Sequence, residues 1–422
     1  MKKRIILIVI ASILLGLILA GVQFYWTELR GAGPALLSPS GDIADLIDKA
    51  EEDATAEPQN TTEFPLTLPD NFSISVFARD LGGPRVMIRG LNGDLLVSIP
   101  SRGEVVSIRN TDNDGKADQQ TTIARNLRKP HGLALYCPPD TIEPSAEICK
   151  LYIAEEHQVV SYMLDPATGA AVRAEKIIDL PAGGRHTSRT LMFVDERLLI
   201  SIGSSCDVCN ESNPWRGSII AVDPDGSNPE IYASGLRNSV FMARHPVDGS
   251  VWATEMGRDH LGDNLPPDEI NLIEKGNSYG WPLCYGKNIH DAEYDKNTYI
   301  RNPCMSPSET PSYIDIPAHS APLGIAFFPE EGWPEDYWYN ALVAYHGSWN
   351  RTEPTGYKIV RYTLDAQGQL LGQEDFITGW LTDDGGALGR PVDILIEPGR
   401  VMYVSDDKAG VIYKITYNQN NL

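Results

Sequence analysis

The feature that most constrains the fold of this chain is a pair of strands that recurs six times. In each copy an apolar alternating strand is followed by a turn or loop and by a second alternating strand. The copies are spaced by roughly 50 to 60 residues, apart from one gap near 90 residues. Strand pairs at a fixed period are typical of propellers, so the sequence predicts an all-β, six-bladed β-propeller. The copies begin at Leu95, Leu151, Leu198, Val251, Ala341 and Met402.

Another short apolar strand precedes each copy, and polar residues stand where it begins. If these are the innermost strands of the blades, their starts all open on one face of the propeller, around the central axis. Cations and imidazoles would then converge at one place, which favours a site for an anion over scattered, solvated surface side chains. The residues concerned are Arg85, His131, His186 with Arg189, Arg237 with Asn238, His319 and Arg390.

The net charge limits the partners of this protein. The chain has 35 Lys and Arg against 57 Asp and Glu, a formal charge of −22. Such an acidic surface argues against nucleic acid as a partner and against docking on an anionic membrane surface. No P-loop, dinucleotide-binding fingerprint or GxSxG nucleophile motif is present, so the sequence lends no support to ATP, NAD or serine-hydrolase chemistry.

The amino terminus has the pattern of a targeting segment. Three positive charges in residues 2–4 precede 18 uncharged, mostly apolar residues, Ile5 to Val22, and the aromatic residues 24–26 follow. This length just suffices to span a bilayer, which favours an uncleaved anchor over a cleaved signal peptide. Either alternative places the rest of the chain on the extracytoplasmic side, in the periplasm. Residues 1–26 are thus predicted as anchor or signal peptide, 27–62 as a flexible acidic linker, and 63–422 as the propeller.

All six cysteines lie in the exported part and fall into three pairs along the sequence. In an oxidising compartment, three local disulfides are the natural interpretation, although six cysteines allow 15 pairings. Cys206 and Cys209 form a CxxC motif, for which a redox role or half of a zinc site is the alternative. No second CxxC and no βαβ pattern accompany it, so a structural disulfide is favoured. The pairs are Cys137 with Cys149, Cys206 with Cys209, and Cys284 with Cys304.

Two stretches have ligands suited to a calcium ion. Asp112, Asp114 and Asp118 have the oxygen spacing of a calcium loop, although Thr121 takes the closing position and a solvated turn is the alternative. The second stretch runs from Gly257 to Gly286. It joins an acidic, proline-broken loop to an alternating strand and a glycine- and aromatic-rich turn. Here the backbone carbonyls near Gly257 and Arg258 and the carboxylate of Glu269 are candidate ligands, and an irregular surface loop is the alternative.

Several motifs resemble those of the quinoprotein glucose/sorbosone dehydrogenases. The similarity covers roughly residues 64 to 417. It is most specific in the fourth repeat, where GLRNS begins at Gly235 and TEMG is followed by DEINLIEKGNSYGWP. GGRHTSRTLMF at Gly183 is similar to the segment with the family's catalytic histidine, and PLGIAFF and AYHGSWNR are similar to segments of the sorbosone-type members. The resemblance implies a six-bladed propeller that uses pyrroloquinoline quinone (PQQ) and Ca²⁺.

The resemblance also implies roles for individual residues. His186 would be the general base that takes the proton from a sugar hydroxyl while hydride passes to the quinone, and Arg237 would stabilise the developing charge. The calcium beside the cofactor would be held by the carbonyls of Gly257 and Arg258, and a second, structural calcium by Glu269 and Tyr279. Residues implied in cofactor binding are Arg189, Arg237, Asn238, His319, His346, Arg351 and Arg390.

The general chemistry agrees with this assignment. PQQ is a tricarboxylate, so holding it requires guanidinium groups and a divalent cation. The sequence departs from the family at Met256, which replaces a glutamine, and at the cofactor lysine, for which Arg351 offers a substitute.

The function expected from the sequence is therefore oxidation of aldoses or sorbosone-like aldehyde sugars. Its partners would be a small sugar and an electron acceptor, a quinone or a cytochrome, and contact with the membrane would be through the amino-terminal segment only. One alternative is a calcium-dependent lactonase or esterase on the same fold. The other is a propeller that binds a ligand without catalysis.

Overall fold

The computed structural model describes residues 2–36, 59–139, 141, 144–146 and 148–418. Six four-stranded antiparallel sheets make up the propeller. Blade 1 consists of β2 (Met87–Arg89), β3 (Leu95–Ile99), β4 (Glu104–Arg109) and β5 (Gln119–Ala124). Blade 2 consists of β6 (Leu133–Tyr136), β7 (Lys150–Glu155), β8 (Gln158–Leu164) and β9 (Ala171–Asp179). Blade 3 consists of β10 (Leu191–Val194), β11 (Arg197–Ile202), β12 (Ser218–Val222) and β13 (Glu230–Ser234).

Of the other three blades, blades 4 and 6 depart from simple chain order, whereas blade 5 follows it. Blade 4 consists of β14 (Ser239–Arg244), β15 (Val251–Glu255), β16 (Asp268–Ile273) and β19 (Ile314–Ile316). The insertion before β19 contains a small sheet of β17 (Cys284–Tyr285) and β18 (Ile289–His290) and a 3₁₀ turn, Pro303–Met305. Blade 5 consists of β20 (Pro322–Phe327), β21 (Ala341–Tyr345), β22 (Lys358–Leu364) and β23 (Leu370–Ile377), with a 3₁₀ turn at Glu335–Tyr337. Blade 6 consists of β24 (Pro391–Glu397), β25 (Val401–Asp406), β26 (Val411–Tyr417) and β1 (Phe72–Ala78).

The first strands of the blades surround the central axis, as predicted. Each of β2, β6, β10, β14, β20 and β24 contacts its counterparts in the two neighbouring blades. The approach is close: a Cβ on Gly132 would lie 2.5 Å from the carbonyl oxygen of Arg189 in blade 3. One on Gly324 would lie 2.6 Å from that of Val392 in blade 6. Such contacts between backbones require glycine, so these two positions are fixed by the tapering centre of the propeller.

The second strands carry the core. β3, β15 and β21 are buried along their whole length, because each lies between two neighbouring blades. Large aromatic side chains fill the wider outer part of these interfaces. Trp252 in β15 packs edge-to-face against Tyr313 and Phe327. Burial on both faces explains why these strands are almost continuously apolar in the sequence.

All three predicted disulfides are confirmed. Cys137 is bonded to Cys149, Cys206 to Cys209, and Cys284 to Cys304. Each closes a local loop, and the third ties the two ends of the blade 4 insertion together.

The chain before the propeller is helical at its start. Helix α1 (Lys2–Phe24) continues into a π-helical turn, Tyr25–Leu29, and is followed by α2 (Gly33–Leu36). Among the described residues, no helix has both the length and the apolarity needed to cross a membrane. The predicted anchor therefore stays a prediction. Residues 37–58 of the predicted linker lie outside the described residues. Near the start of the linker, Lys408 donates a hydrogen bond of 2.9 Å to the carbonyl of Pro34.

Candidate active site

A cavity of about 250 Å³ opens beside the axis, on the face where the inner strands of blades 3 to 5 begin. In an antiparallel blade the start of the first strand and the end of the second strand lie at the same face. Residues just before β14 and β20 therefore meet residues just after β15 and β21. The lining consists of Arg185, His186, Arg237, Asn238, Met256, Gly257, Asp259, Asp268, His319, Ala321, Trp349 and Asn350.

His186 has the geometry of a base. Its Nδ1 lies 2.9 Å from the Oγ and 3.1 Å from the carbonyl oxygen of Ser204. A carbonyl can only accept, so Nδ1 carries the hydrogen, and the lone pair is on Nε2. Burial lowers the pKa of His186 to about 3, with the positive charges of Arg237 and Arg185 acting in the same direction. The imidazole is therefore neutral at physiological pH and able to accept a proton.

Arg237 is the central cation of the cavity. Its Nη2 lies 2.7 Å from Asp207 Oδ1 and 3.2 Å from Asp259 Oδ2. Burial acts to raise the pKa of Asp207, but Arg237, the Asp259 amide and Arg185 together outweigh it and the net shift is downward. Burial, together with the charge of Asp207, raises the pKa of Asp259. Arg185 also pairs with Asp259, at 2.9 Å, so two guanidiniums share two carboxylates at this wall.

Buried carboxylates surround Gly257 on the opposite wall. Asp268 Oδ1 accepts a hydrogen bond of 2.8 Å from the Gly257 amide, and burial raises the pKa of Asp268 to about 7. Burial raises the pKa of Glu255 well above its ordinary value, and its Oε2 has no hydrogen-bond partner among the described residues. Burial raises the pKa of Glu269 to about 7. Gly257 lines both the main cavity and a small one of about 20 Å³ that Glu255 and Glu269 also line.

This wall fits a divalent cation. Buried carboxylates without enough positive charge around them are costly, and a metal ion would supply that charge. Oxygen ligands from carboxylates and from the carbonyls of Gly257 and Arg258 are those that Ca²⁺ prefers.

The other predicted cations form a second cluster on the same face, in blades 1, 5 and 6. Arg85 and His346 both bind Asp407, at 2.7 and 2.9 Å. Burial acts to raise the pKa of Asp407, but His346, Arg85 and Arg390 hold it well below its ordinary range. Arg390 donates from Nε to the carbonyl of His346, at 3.0 Å. The sequence missed Asp407, which neutralises part of this cluster.

Some predicted site residues have structural contacts instead. Arg189 is fully buried and donates to the carbonyls of Pro181, His186 and Ser188, so it fixes the segment around His186 and does not line the cavity. Arg351 donates to the carbonyl of Asp263 at 2.6 Å and lies outside the cavity lining. His319 lines the cavity, and its Nε2 lies 2.8 Å from the Gly262 carbonyl.

The predicted metal residues away from the cavity are engaged locally. The hydroxyl of Tyr279 donates to the carbonyl of Leu272, and Glu269 accepts from the Gly286 amide at 2.6 Å. The carboxylates of Asp112, Asp114 and Asp118 are exposed and do not converge on one point. Asp112 and Asp114 each accept a hydrogen bond from the backbone amide two residues further along the chain, and Asp118 accepts one from the amide of Thr111. Among the described residues, the one group that meets metal-ligand spacing is Cys206, Cys209 and Glu211, where both cysteines are in a disulfide.

The sequence also left several functional residues undetected. Asp207, Asp259, Ser204 and Trp349 lie in loops between strands, where no repeat marks them. Arg185 stands directly before His186, and this adjacency is the signal that could have identified it. Its guanidinium lies 5.7 Å from the centre of the Trp349 ring, so it closes the cavity wall beside the base.

The fold and the cavity define the class: a six-bladed propeller with a partly buried, neutral histidine and arginines at its axial cavity. Residues 66–418 match the TrAA12-like family, and because this is most of the chain, the chain belongs to that family. The family resemblance expected from the sequence is thereby confirmed.

Known relatives support this placement. The chain is 29% identical over 366 residues to an uncharacterised protein of Borreliella burgdorferi, covering 84% of this chain and 91% of that protein. It is 23% identical to the pyrroloquinoline quinone-dependent pyranose dehydrogenase of Coprinopsis cinerea, covering 83% of this chain and 54% of that enzyme's length. A solved AA12 structure from Trichoderma reesei superposes with a TM-score of 0.71 at 21% identity, covering 86% of this chain and all of that one. At this identity the superposition shows the shared fold.

Proposed function

We propose that this protein is a quinoprotein oxidoreductase that oxidises sugars with PQQ and Ca²⁺. One observation carries the proposal: a neutral His186, with its Nε2 lone pair available, shares a buried cavity with Arg237. Oxidation of a sugar hydroxyl requires a base that removes the hydroxyl proton. It also requires a fixed cation that stabilises the negative charge passing to the anionic acceptor. The named PQQ-dependent relative and the family membership point to the same chemistry.

The polar groups of this face fit an anionic, planar cofactor. The described contacts of Arg237 use four of its five N–H groups, and Arg85 Nε and Asn350 Oδ1 are buried without a partner among the described residues. Buried polar atoms of this kind are normally paired, so they mark places for ligand atoms. Arg237 and Asn238 would hold one end of PQQ, Arg85 and Arg390 the other, and the wall at Gly257 and Arg258 the Ca²⁺. When bound, PQQ would supply the acceptor for the hydride, which carries both electrons of the oxidation.

The residues of the chain supply position, charge and proton transfer. His186 would take the hydroxyl proton at Nε2, where the contacts of Nδ1 with Ser204 leave the lone pair. The resulting imidazolium would be stabilised by the nearby carboxylates of Asp207 and Asp259. Arg237, held on one edge by Asp207 and at Nη1 by the carbonyl of Met256, would offset negative charge that develops in the cavity. Trp349 and Asn350 would exclude water from one side.

The substrate and the setting belong to the same proposal. Aldoses or sorbosone-like aldehyde sugars are the proposed substrates, and a quinone or a cytochrome the electron acceptor. We place the protein on the extracytoplasmic side, attached to the membrane through its amino-terminal segment. The three disulfides and the absence of a free cysteine among the described residues support the extracytoplasmic location.

The test is reconstitution of the full chain with PQQ and Ca²⁺. We expect PQQ to bind with Ca²⁺ and to bind more weakly with a chelator, and a panel of aldoses to reduce a redox dye. His186→Ala should lower kcat by about 10² to 10⁴, the usual contribution of a general base, while PQQ still binds. His290→Ala is the matched control, because His290 pairs with Asp295 in the blade 4 insertion, outside the cavity.

Two results would overturn the proposal. Absence of PQQ binding with all cavity residues intact would exclude the quinoprotein function. Hydrolysis of lactones or esters that depends on Ca²⁺, without dye reduction, would favour the lactonase alternative instead.

A further inference from the structure

A disulfide-closed loop, residues 204–209, lies between the two central residues of the cavity. It follows β11, and the bond between Cys206 and Cys209 closes its second part, directly after Ser204 and Ser205. The loop contacts the ring of His186 through one residue and the guanidinium of Arg237 through another. These two residues, Ser204 and Asp207, do not belong to the repeat pattern. In this loop the sequence predicts only the structural disulfide.

Ser204 contacts the proton-carrying nitrogen of His186. Its hydroxyl donates to the carbonyl of Cys206 at 2.6 Å, so its one hydrogen is committed. The Oγ lone pairs therefore face His186 Nδ1, and the Ser204 carbonyl offers a second acceptor to the same nitrogen. Ser204 is fully buried, and its amide donates to the carbonyl of Arg237 at 2.7 Å. With two acceptors at Nδ1, the hydrogen is held there and Nε2 is left as the basic nitrogen.

Asp207 contacts Arg237 twice. Its Oδ1 accepts from Nη2 at 2.7 Å, and its backbone carbonyl accepts from Nε at 2.9 Å. One residue thus occupies two positions on the same edge of the guanidinium and fixes its plane. The same Oδ1 accepts from the Asp259 amide at 2.9 Å, and the carbonyl accepts from the indole of Trp281 at 3.3 Å. The Arg237 side chain is 5% exposed, so little water competes for these contacts.

We propose, building on the proposed function, that Ser204 and Asp207 are positioning residues and that the Cys206–Cys209 disulfide holds both in place. Ser204 fixes the tautomer of the base, and Asp207 fixes the direction of the arginine. The bond spans three residues of sequence, and both the Cys206 carbonyl and the two oxygens of Asp207 lie inside the loop that it closes. The orientations of His186 and Arg237 therefore both depend on the loop that this disulfide closes.

The test of Ser204 is the Ser204→Ala variant. Nitrogen NMR of the His186 ring in the protein without cofactor should change from one neutral tautomer to a mixture, because the carbonyl acceptor alone remains. In the reconstituted enzyme kcat should fall about tenfold or more with PQQ affinity unchanged, as expected when a hydrogen bond to a group that becomes charged is lost. Ser201→Ala is the matched control: Ser201 is a buried serine in β11 whose hydroxyl binds the Ser239 carbonyl.

The test of Asp207 is the Asp207→Asn variant. We expect weaker PQQ binding and a lower kcat, with the His186 tautomer unchanged. Asp207→Glu, which keeps the charge, should recover part of the binding. Asp223→Asn is the control, because Asp223 pairs with Arg197 away from the cavity.

The test of the disulfide is replacement of both Cys206 and Cys209 by serine. The double variant should show the mixed tautomer and the weaker PQQ binding together. A single Nδ1–H tautomer and unchanged kinetics in both Ser204→Ala and the double variant would overturn the inference. If the native protein neither binds PQQ nor oxidises sugars, the proposed function fails, whereas the tautomer measurement without cofactor still decides the role of Ser204. Thermal unfolding of each variant identifies any that fails to fold. If a single-residue variant fails to fold, the His186 tautomer in the double cysteine variant decides the inference.

Discussion

His186 owes its chemistry to its surroundings more than to its type. Burial and two guanidiniums disfavour a third positive charge, and this lowers the pKa of the imidazole to about 3. The ordinary pKa of histidine is near 6.5, so an exposed histidine would lose much of its basic form at mildly acidic pH. Here the neutral form persists, so the imidazole can accept a proton without first losing one.

This environment predicts how activity depends on pH. Protonation of His186 removes the base, so activity is lost as the pH falls through its pKa. In the native enzyme we expect no loss from this group between pH 7 and about pH 5. Arg185→Gln removes one of the charges that lower the pKa, so the pKa of His186 should rise and the acidic limb of kcat should move to higher pH. Profiles of kcat against pH measure this, with Arg79→Gln, an exposed arginine paired with Glu63, as control. An acidic limb that stays in place would contradict the expectation.

At the level of residues, sequence reasoning found what the repeat reveals. His186, Arg237 and Asn238 stand shortly before the inner strands of successive blades, so their convergence could be foreseen. Asp207, Asp259 and Asp407 could not, because their pairing with arginines depends on loops that the period does not describe. A recurring arginine predicts a cation at the axis, but how much of its charge is neutralised depends on the folded chain.

The inner strands join the blades through buried carboxyl groups as well as apolar contacts. Asp393 in β24 accepts a hydrogen bond of 2.8 Å from the amide of Met87 in β2, and another of 2.9 Å from the amide of Ile394. It thereby links blade 6 to blade 1. Burial raises the pKa of Asp393 from 3.8 to about 7, although the two amides act to lower it.

A definite dependence of stability on pH follows. The folded state binds this proton more tightly than the unfolded state, so the stability that Asp393 contributes is full below about pH 4. It is lost as the pH rises to about 7. One such proton changes the free energy of unfolding by about 1.4 kcal/mol per pH unit at most. Asp393→Asn should therefore flatten the decrease in stability between pH 4.5 and 7, as measured by urea unfolding. Asp195→Asn is the control, since the Asp195 side chain is 86% exposed, and an unchanged slope in Asp393→Asn would argue against the assignment.

At the level of elements, the strands that could be predicted are the buried ones. The inner strands and the two that follow them alternate or are wholly apolar, because neighbouring blades cover them. The outermost strands are different: β9 and β23 expose most of their residues, so they lack an apolar pattern. In blade 4 the outermost strand, β19, comes about 40 residues after β16, beyond the disulfide-closed insertion. The sequence therefore predicts six blades with three clear strands each. The fourth, outermost strand of each blade could be identified only in the structure.

The molecule as a whole separates its charges. The net charge is −22, yet Arg85, Arg185, Arg237 and Arg390 meet on one face near the axis. An acidic exterior repels polyanions such as nucleic acids, whereas the local field at the cavity favours a small anion that fits. Affinity for such an anion must therefore come from short contacts inside the cavity and not from the surface.

The ring is closed by a strand from the beginning of the propeller. β1 pairs antiparallel with β26 at the outside of blade 6, so a segment before blade 1 completes the last blade. Phe72, Ile74 and Val76 of β1 are buried, at 0%, 1% and 9% exposure. Burial of three such side chains contributes roughly 5 to 9 kcal/mol, which is similar to the whole net stability of many domains. Without β1, β26 would also present an unpaired edge.

Two truncations test this closure. Removal of residues 1–58 leaves β1 in place, so the propeller should keep the oligomeric state of the full chain and unfold in one cooperative transition. Removal of residues 1–78 deletes β1, and we expect a much lower unfolding midpoint and association through the exposed edge of β26. A synthetic peptide of residues 59–79 should bind the shorter protein and raise its midpoint, because the peptide restores the missing pairs, whereas a scrambled peptide should not. Size-exclusion chromatography and thermal unfolding give both readouts. Equal stability of the two truncations would mean that the other blades hold the ring closed without β1.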